Sequence, residues 1–352
     1  MASFWGRFSK DMGIDLGTSN TIIYAKGKGI VMTEPSVVAM NVRNDQIVAV
    51  GRTASAMVGK TPPHIIAIKP LVRGVISDFE VTEKMLRYFM EHTHGDRFPA
   101  FARPRVVIGV PLDITEVERK AVEDAVKSAG AREVYLVEEA MAAALGARLP
   151  VQEPVGNMIV DIGGGTTEIA VISLSGVVTW RSVSTAGIEM DNAIINFARE
   201  RYNLLVGDGV AEEIKIGLGS AGKLPEKLEM KMRGRDLMTG LPREVSVNDD
   251  EIRAALAKPV RSIIDQIIIA LESTPPELVA DIYERGMVLA GGGALLKGMD
   301  EAIRQATEIP VRIADDPLTC VVRGTGAIIE DLEELSHIFL PSTDVDFAAA
   351  RA

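Results

Sequence analysis

The chain has 352 residues, with 38 Lys and Arg against 49 Asp and Glu and a formal net charge of −11, so it lacks the basic footprint with which a general nucleic-acid binder meets a phosphate backbone. Hydrophobic residues at 47% and charged residues at 25% place it among well-packed globular proteins, and the length predicts two domains. A single cysteine, Cys320, excludes an internal disulfide and a Cys-rich zinc site, and no apolar run reaches the roughly 18 residues that span a membrane, which together predict a reduced, cytoplasmic setting.

The first apolar run ends in Ile14-Asp15-Leu16-Gly17-Thr18-Ser19-Asn20-Thr21 and resumes to Ala25, the pattern of a β-hairpin. A third strand runs from Gly29 to Thr33, followed by an insertion of about 35 residues ending near Lys69-Pro70. Val81, Met85 and Phe89 share one face of a helix reaching about His92, while His92, His94 and Asp96 read as loop residues rather than a metal site. A strand from Arg105 to Val110 is closed by Pro111, and Thr115-Glu116-Val117-Glu118 is a capping box that opens a helix to Ala129. A strand from Glu133 to Val137 and a helix through Ala142-Ala143-Ala144 complete this half.

The second half repeats the order. Val160-Asp161-Ile162-Gly163-Gly164-Gly165-Thr166-Thr167 matches the first hairpin at Asp, Gly and the second Thr, within three strands from Met158 to Val183. An insertion from about Ser184 to Asp250 carries helices near Met190 to Tyr202 and Ala211 to Ile216, strand candidates at Leu228 to Met232 and Glu244 to Val247, and a hairpin-like region around Arg233-Gly234-Arg235. A strand from Met287 to Ala290 leads into Gly291-Gly292-Gly293, and Ala294 to Gln305 reads as helix. Alternating β and α patterns in both halves predict two α/β domains with a cleft between them.

Small residues at both hairpin turns let backbone N–H groups converge on phosphate oxygens, and hydroxyls add donors. An Asp beside each turn, Asp15 and Asp161, suits a hydrated Mg²⁺, which one or two carboxylates and several waters hold against phosphates. A nucleoside triphosphate is the ligand these turns predict. Two other matches fail on context: Ala54 to Thr61 lacks the first glycine of a P-loop and runs into Pro62-Pro63, and Gly217-Leu218-Gly219-Ser220-Ala221-Gly222 follows a helical stretch instead of a strand.

With a third glycine turn at Leu289-Ala290-Gly291-Gly292-Gly293-Ala294, the two hairpins resemble the actin, Hsp70 and sugar-kinase superfamily. Glu34-Pro35-Ser36-Val37-Val38-Ala39, Pro275-Pro276-Glu277-Leu278 and Asp315-Asp316-Pro317-Leu318 make nearly the whole chain similar to the MreB family of bacterial actin homologues. The resemblance implies an α/β, actin-like two-domain fold with duplicated ribonuclease-H-like halves, each with an inserted subdomain, around a nucleotide cleft. The implied subdomains are IA (1–33, 68–147 and 322–352), IB (34–67), IIA (148–183 and 251–321) and IIB (184–250).

For the site, the resemblance implies ATP and Mg²⁺, with Gly17, Thr18, Ser19 and Asn20, and Gly163, Gly164, Gly165 and Thr166, on the phosphates. Asp15 and Asp161 stand near the metal, through water. Glu212 and Lys215 are implied at ribose and base, where spacing alone reads as an exposed i,i+3 ion pair. Gly291, Gly292, Gly293 and Ala294 are implied against the adenine. Glu139 is implied to position the attacking water, with Thr166 and Asp161 assisting; read without the family, Glu138 or Glu139 caps a helix. Two departures stand out: Ala140 where the family usually has Pro, and Thr185-Ala186-Gly187-Ile188-Glu189-Met190-Asp191 where it tends to Gly-Gly-Asp.

Two apolar stretches suit a lipid surface. Phe4, Trp5 and Phe8, beside Arg7 and Lys10, form a short interfacial helix pattern, and Phe98 and Phe101 tip a loop flanked by Arg97, Arg103 and Arg105. Lys84 to Arg105 holds five Lys or Arg against two acids, which anionic lipid would favour by about 1 kcal/mol per basic residue near the surface. The family implies a cell-shape-determining cytoskeletal protein that polymerises into filaments on the inner face of the cytoplasmic membrane, hydrolyses ATP slowly and guides peptidoglycan synthesis. Its implied partners are further copies of the chain and membrane-bound shape and wall-synthesis proteins such as RodZ and MreC. The rival reading is a small-molecule, sugar-type kinase on the same fold.

Overall fold

The computed structural model describes residues 11–94 and 103–341, so Phe4, Trp5, Phe8, Phe98 and Phe101 lie outside the described residues. It divides into two units: one takes the described residues of Met1–Pro154, Ile172–Val177 and Leu318–Ala352, the other Val155–Val171 and Val178–Pro317.

In the first unit, β1 (Met12–Leu16), β2 (Asn20–Ala25) and β3 (Gly29–Pro35) form an antiparallel meander, with Asp15 opposite Ile22 and a bulge between Ile23 and Tyr24. The insertion folds into a small sheet, β4 (Val38–Asn41), β5 (Gln46–Val50) and β6 (Ile65–Ile68), in the order β5-β4-β6. Then follow α1 (Phe79–His94), β7 (Arg105–Val110), α2 (Glu116–Ser128), β8 (Glu133–Glu138) and α3 (Glu139–Gly146). Parallel pairing of β7 with β1 and of β8 with β7 gives the order β8-β7-β1-β2-β3. Met12 and Ile14 of β1 bury against Met85 and Phe89 of α1 and Val122 and Val126 of α2, the apolar faces their spacing dictates.

The second unit rebuilds this sheet from β9 (Asn157–Ile162), β10 (Thr167–Ser173) and β11 (Gly176–Val183). Its insertion holds α4 (Gly187–Tyr202), α5 (Asp208–Leu218) and the antiparallel pair β12 (Glu229–Asp236) and β13 (Pro242–Asn248). The chain continues through α6 (Asp249–Glu272), α7 (Pro276–Arg285), β14 (Met287–Ala290), α8 (Met299–Thr307) and β15 (Val311–Ile313). The order β11-β10-β9-β14-β15 maps strand for strand onto β3-β2-β1-β7-β8, the duplication expected from the two hairpins. The chain returns to the first unit in α9 (Cys320–Glu330), which packs on α3 and β1. Among the described residues no helix is long and apolar enough to cross a membrane.

Four expectations are corrected. The hairpin expected around Arg233-Gly234-Arg235 forms, but these residues lie inside β12, paired with Glu244, Arg243 and Pro242, and the turn falls beyond them, where Asp236 Oδ1 accepts from the N–H groups of Met238 and Thr239. Gly234 is small because a Cβ there would stand 2.4 Å from the Leu205 carbonyl oxygen. The helix expected from Ala294 to Gln305 is split: a short 3₁₀ turn spans Gly292–Leu295, Gly298 turns at φ 72°, and α8 starts at Met299. His92 and His94 belong to α1 rather than a loop, and His92 Nδ1 lies 2.7 Å from the Tyr88 carbonyl oxygen. The positive balance counted from Lys84 to Arg105 is offset at three of its five bases by acids outside that stretch, since Lys84 pairs with Glu80, Arg87 with Glu83, and Arg105 with Asp11 at 2.6 Å.

Candidate nucleotide site

The turn between β1 and β2 spans four residues and is closed by the Gly17 N–H donating to the Asn20 carbonyl at 3.0 Å. The turn between β9 and β10 is closed in the same way, Gly163 N–H to the Thr166 carbonyl at 2.9 Å. Each turn follows directly on its Asp-bearing strand, so Asp15 and Asp161 occupy equivalent positions. At Gly17 a Cβ would meet the Asn20 carbonyl at 2.8 Å, and at Gly163 the Thr166 carbonyl at 3.1 Å. The turns demand small residues before any ligand is considered.

A second tier fixes each turn from behind, again in parallel fashion. In the first unit Ser36 Oγ donates to the Gly17 carbonyl at 2.7 Å and lies 2.9 Å from Thr21 Oγ1, while the Ser36 N–H donates to the Ser19 carbonyl. In the second unit the first residues of α4 do this work: the Gly187 and Ile188 N–H groups donate to the carbonyls of Gly163 and Gly164 at 3.1 and 2.8 Å, and Thr167 Oγ1 donates to the Thr185 carbonyl at 2.7 Å. Thr21 and Thr167, the matched second threonines, thus anchor equivalent turns to the segment after the third strand. The Ala186-Gly187 departure keeps this anchor, because it is made by backbone groups.

Thr18 is buried, and its Oγ1 accepts from the Gly74 N–H at 2.8 Å. Gly74 sits with Arg73 at the positive-φ turn of a short ribbon, Leu71–Val72 with Val75–Ile76. No local sequence signal marks Ser36 or Gly74 as a support of this turn. Ser19 and Asn20 are exposed at the turn, and Gly163, Gly164 and Thr166 are half-buried with Gly165 buried.

Asp161 is 8% exposed, and burial pushes its carboxyl up to about 7. That rise has burial as its cause, with no offset from a neighbouring cation, so a divalent ion at this carboxylate would supply the charge the protein does not. Asp15 is half-buried at the equivalent position. Among the described residues no group of three or more His, Cys, Asp or Glu side chains could hold a metal ion.

The glycines after β14 have an internal reason to be small. Gly291 adopts φ 76°, and a Cβ there would lie 2.3 Å from Asp161 Oδ1; at Gly293 it would lie 2.2 Å from Ile162 Cγ2. They pack the turn, with Gly292 and the buried Ala294, against the end of β9 that carries Asp161. On α5, Lys215 is half-buried and Glu212 exposed. Lys215 Nζ donates to the Gly187 carbonyl at 3.0 Å and pairs with Asp191 at 2.9 Å, rather than making the i,i+3 pair with Glu212. Burial raises the Asp191 carboxyl to about 6, against the opposing pull of Lys215. Lys215 therefore ties α5 to the start of α4, and through it to the Gly163 turn.

In the first unit Glu139 opens α3 directly after β8, and Glu138 is the N-cap residue without a side-chain cap bond. Burial raises the Glu138 carboxyl. Gly109 of β7, missed in the sequence, makes room for Glu139: a Cβ there would stand 3.0 Å from Glu139 Cγ. The helix starts at Glu139 with Ala140 buried in the position where the family usually has Pro.

Residues 9–337 match the MreB/Mbl protein family. The cell shape-determining protein MreB of Escherichia coli K12 is 51% identical over 339 residues, covering 95% of this chain and 97% of that one. The cell shape-determining protein Mbl of Bacillus subtilis 168 is 46% identical over 328 residues, covering 93% and 98%. MreB5 of Spiroplasma citri, solved bound to ADP, superimposes with a TM-score of 0.88 at 37% identity over 94% of this chain and 98% of that one. A MamK double helical filament at 24% identity, TM-score 0.76, over 92% of this chain and 99% of that one, shares the fold. With the same hairpin turn built twice into a duplicated actin-like fold, and with these likenesses along nearly its whole length, the chain belongs to the MreB/Mbl family.

Proposed function

We propose that the chain is a cell-shape-determining cytoskeletal ATPase that binds ATP with Mg²⁺, polymerises into filaments on the inner face of the cytoplasmic membrane, and hydrolyses ATP slowly. The observation that carries the nucleotide reading is the turn closed twice by a glycine N–H, beside Asp15 in one unit and Asp161 in the other. Turn N–H groups and the hydroxyls of Thr18, Ser19 and Thr166 act on the β- and γ-phosphates, and the two carboxylates hold metal-bound water. Mg²⁺ supplies positive charge that offsets the charge developing on the phosphates. Glu139 orients the attacking water, with Thr166 and Asp161 assisting. Glu212 and Lys215 meet ribose and base, and Gly291 to Ala294 line the adenine. We assign subdomains IA, IB, IIA and IIB at the boundaries expected from the sequence, which differ from the two units at residues 148–154, 172–177 and 318–321.

Nucleotide-bound relatives such as MreB5 with ADP or AMPPNP support the ligand, and the names of the MreB and Mbl relatives support the cellular role. Membrane contact through Phe4, Trp5, Phe8, Phe98 and Phe101, and partnership with membrane-bound shape and wall-synthesis proteins, extend that role. Family membership over residues 9–337 favours this reading over a sugar-type kinase.

Calorimetric titration with ATP, with and without Mg²⁺, tests the site. The wild type should bind in a Mg²⁺-dependent way, and Asp15→Asn and Asp161→Asn should each lose that dependence. Equal Mg²⁺-dependent binding in all three proteins would refute the assignment of the carboxylates, and phosphate transfer to a sugar would restore the kinase reading.

A further inference from the structure

Beyond the end of α5, Ser220 and the first turns of α6 line a cavity of about 260 Å³ in the second unit, none of whose lining residues is assigned to nucleotide. Ser220, Asp250 and Arg253 supply its polar lining, and Ala254, Ala257 and Val260 its apolar wall. Two polar atoms on this lining are buried without a hydrogen-bond partner: Ser220 Oγ and Arg253 Nη1. Ser220 is 0% exposed. Its backbone is held by a bridge to Lys297, and the neighbouring Ala221 N–H donates to the Lys297 carbonyl, so the backbone that carries the hydroxyl is held in place.

Arg253 uses one arm only. Its Nη2 donates to Asp250 Oδ1 at 2.7 Å, which leaves Nη1 as a spare donor. The capping box of Asn248 and Glu251 sets the start of α6, so Arg253 projects from a defined helical turn. The Arg253 hydrogen bond, with Lys227 and Lys223 nearby, holds the Asp250 carboxyl below its usual range. An orphaned guanidinium donor and an orphaned hydroxyl, buried together, each carry a desolvation cost that a shared acceptor would remove.

We propose that this cavity binds a small oxyanion carried on a short apolar group, with the oxyanion accepting from Arg253 Nη1 and Ser220 Oγ and the apolar part lying on Ala254, Ala257 and Val260. Carboxylates and phosphate monoesters share this chemistry, since each offers an anionic oxygen that can accept from both donors. The proposal is independent of the nucleotide reading, since none of these residues is assigned to ATP.

The test is calorimetric titration of the nucleotide-free full chain with butyrate, ethyl phosphate, inorganic phosphate and, as a control, butanol, repeated with Arg253→Met and Ser220→Ala. Saturable one-site binding of butyrate or ethyl phosphate, weakened about tenfold or more by Arg253→Met, is expected. Whichever of these two binds more tightly identifies the oxyanion. Ser220→Ala should weaken binding severalfold while leaving the melting temperature of the free protein unchanged or raised, because the hydroxyl it removes has no partner there. The proposal is overturned if no oxyanion saturates by about 10 mM, which makes the cavity a water site. Butanol binding as tightly as butyrate, or affinity unchanged in both variants, also overturns it. Ser220→Ala, nearly isosteric, decides the matter if Arg253→Met fails to fold.

Discussion

Adding one methyl group at Gly146 should destabilise the first unit and slow hydrolysis more than it weakens nucleotide binding. Helices α3 and α9 cross with backbone against backbone: a Cβ on Gly146 would lie 1.8 Å from the Cys320 carbonyl oxygen, and one on Gly324 would lie 1.8 Å from the Ala142 carbonyl oxygen. Restoring an ordinary contact requires the helices to separate by about 1.5 Å. Both are buried and neither obstacle is a flexible side chain, so the cost falls at the upper end of overpacking penalties, about 3 kcal/mol. For a unit of this size that lowers the melting temperature by roughly 6–12 °C. Because α3 begins at Glu139, the same displacement moves that carboxylate relative to Gly109 of β7. Scanning fluorimetry of Gly146→Ala gives the first quantity, and ATP titration with phosphate-release kinetics gives the second. Gly209→Ala in α5, where nothing lies within 4 Å of the added Cβ, is the control and should hold or raise the melting temperature. A Gly146→Ala melting point within about 1 °C of wild type would refute the close-packing argument.

Other outcomes follow from the same geometry. Thr115→Ala removes a complete capping box and should cost about 1 kcal/mol by thermal unfolding without changing ATP affinity; a matching fall in affinity would show that α2 acts on the site. Lys215→Ala breaks the Asp191 pair and the Gly187 contact, so it should lower both thermal stability and ATP affinity, and preserved affinity would remove Lys215 from the site. The Asp191 carboxyl sits near 6 in the folded chain, above its ordinary value of 3.8, so the native state holds this proton more tightly and the associated stability is lost as pH rises from about 4 through 6. Asp191→Asn should flatten that segment of a melting-temperature profile relative to wild type, and an identical slope in both proteins would refute the assignment.

Local signals in the sequence read well where the structure depends on neighbours. The Thr115 and Glu118 capping box and the strand from Met287 to Ala290 stand where propensity and periodicity put them. The two hairpins were legible because Asp, a small turn and flanking apolar runs recur together. What stayed hidden depends on residues distant in the chain. Gly234 reads as a turn, yet it is small because the Leu205 carbonyl passes over it. Lys215 looks like the partner of Glu212 one turn away, and is claimed instead by Asp191 at the start of another helix. Ser36 and Gly74 hold the Asp15 turn from beyond β3, and only the pairing of their segments brings them there. Lys84 and Arg87 count toward a positive stretch from Lys84 to Arg105 because their acids, Glu80 and Glu83, lie one helical turn earlier, outside it.

Sedimentation and electron microscopy with anionic liposomes, comparing ATP and Mg²⁺ with no nucleotide and wild type with Asp161→Ala, test the central claim most directly. Filaments on lipid that require nucleotide and vanish in Asp161→Ala are the predicted result. Tight ATP binding with no assembly across a wide concentration range would contradict it.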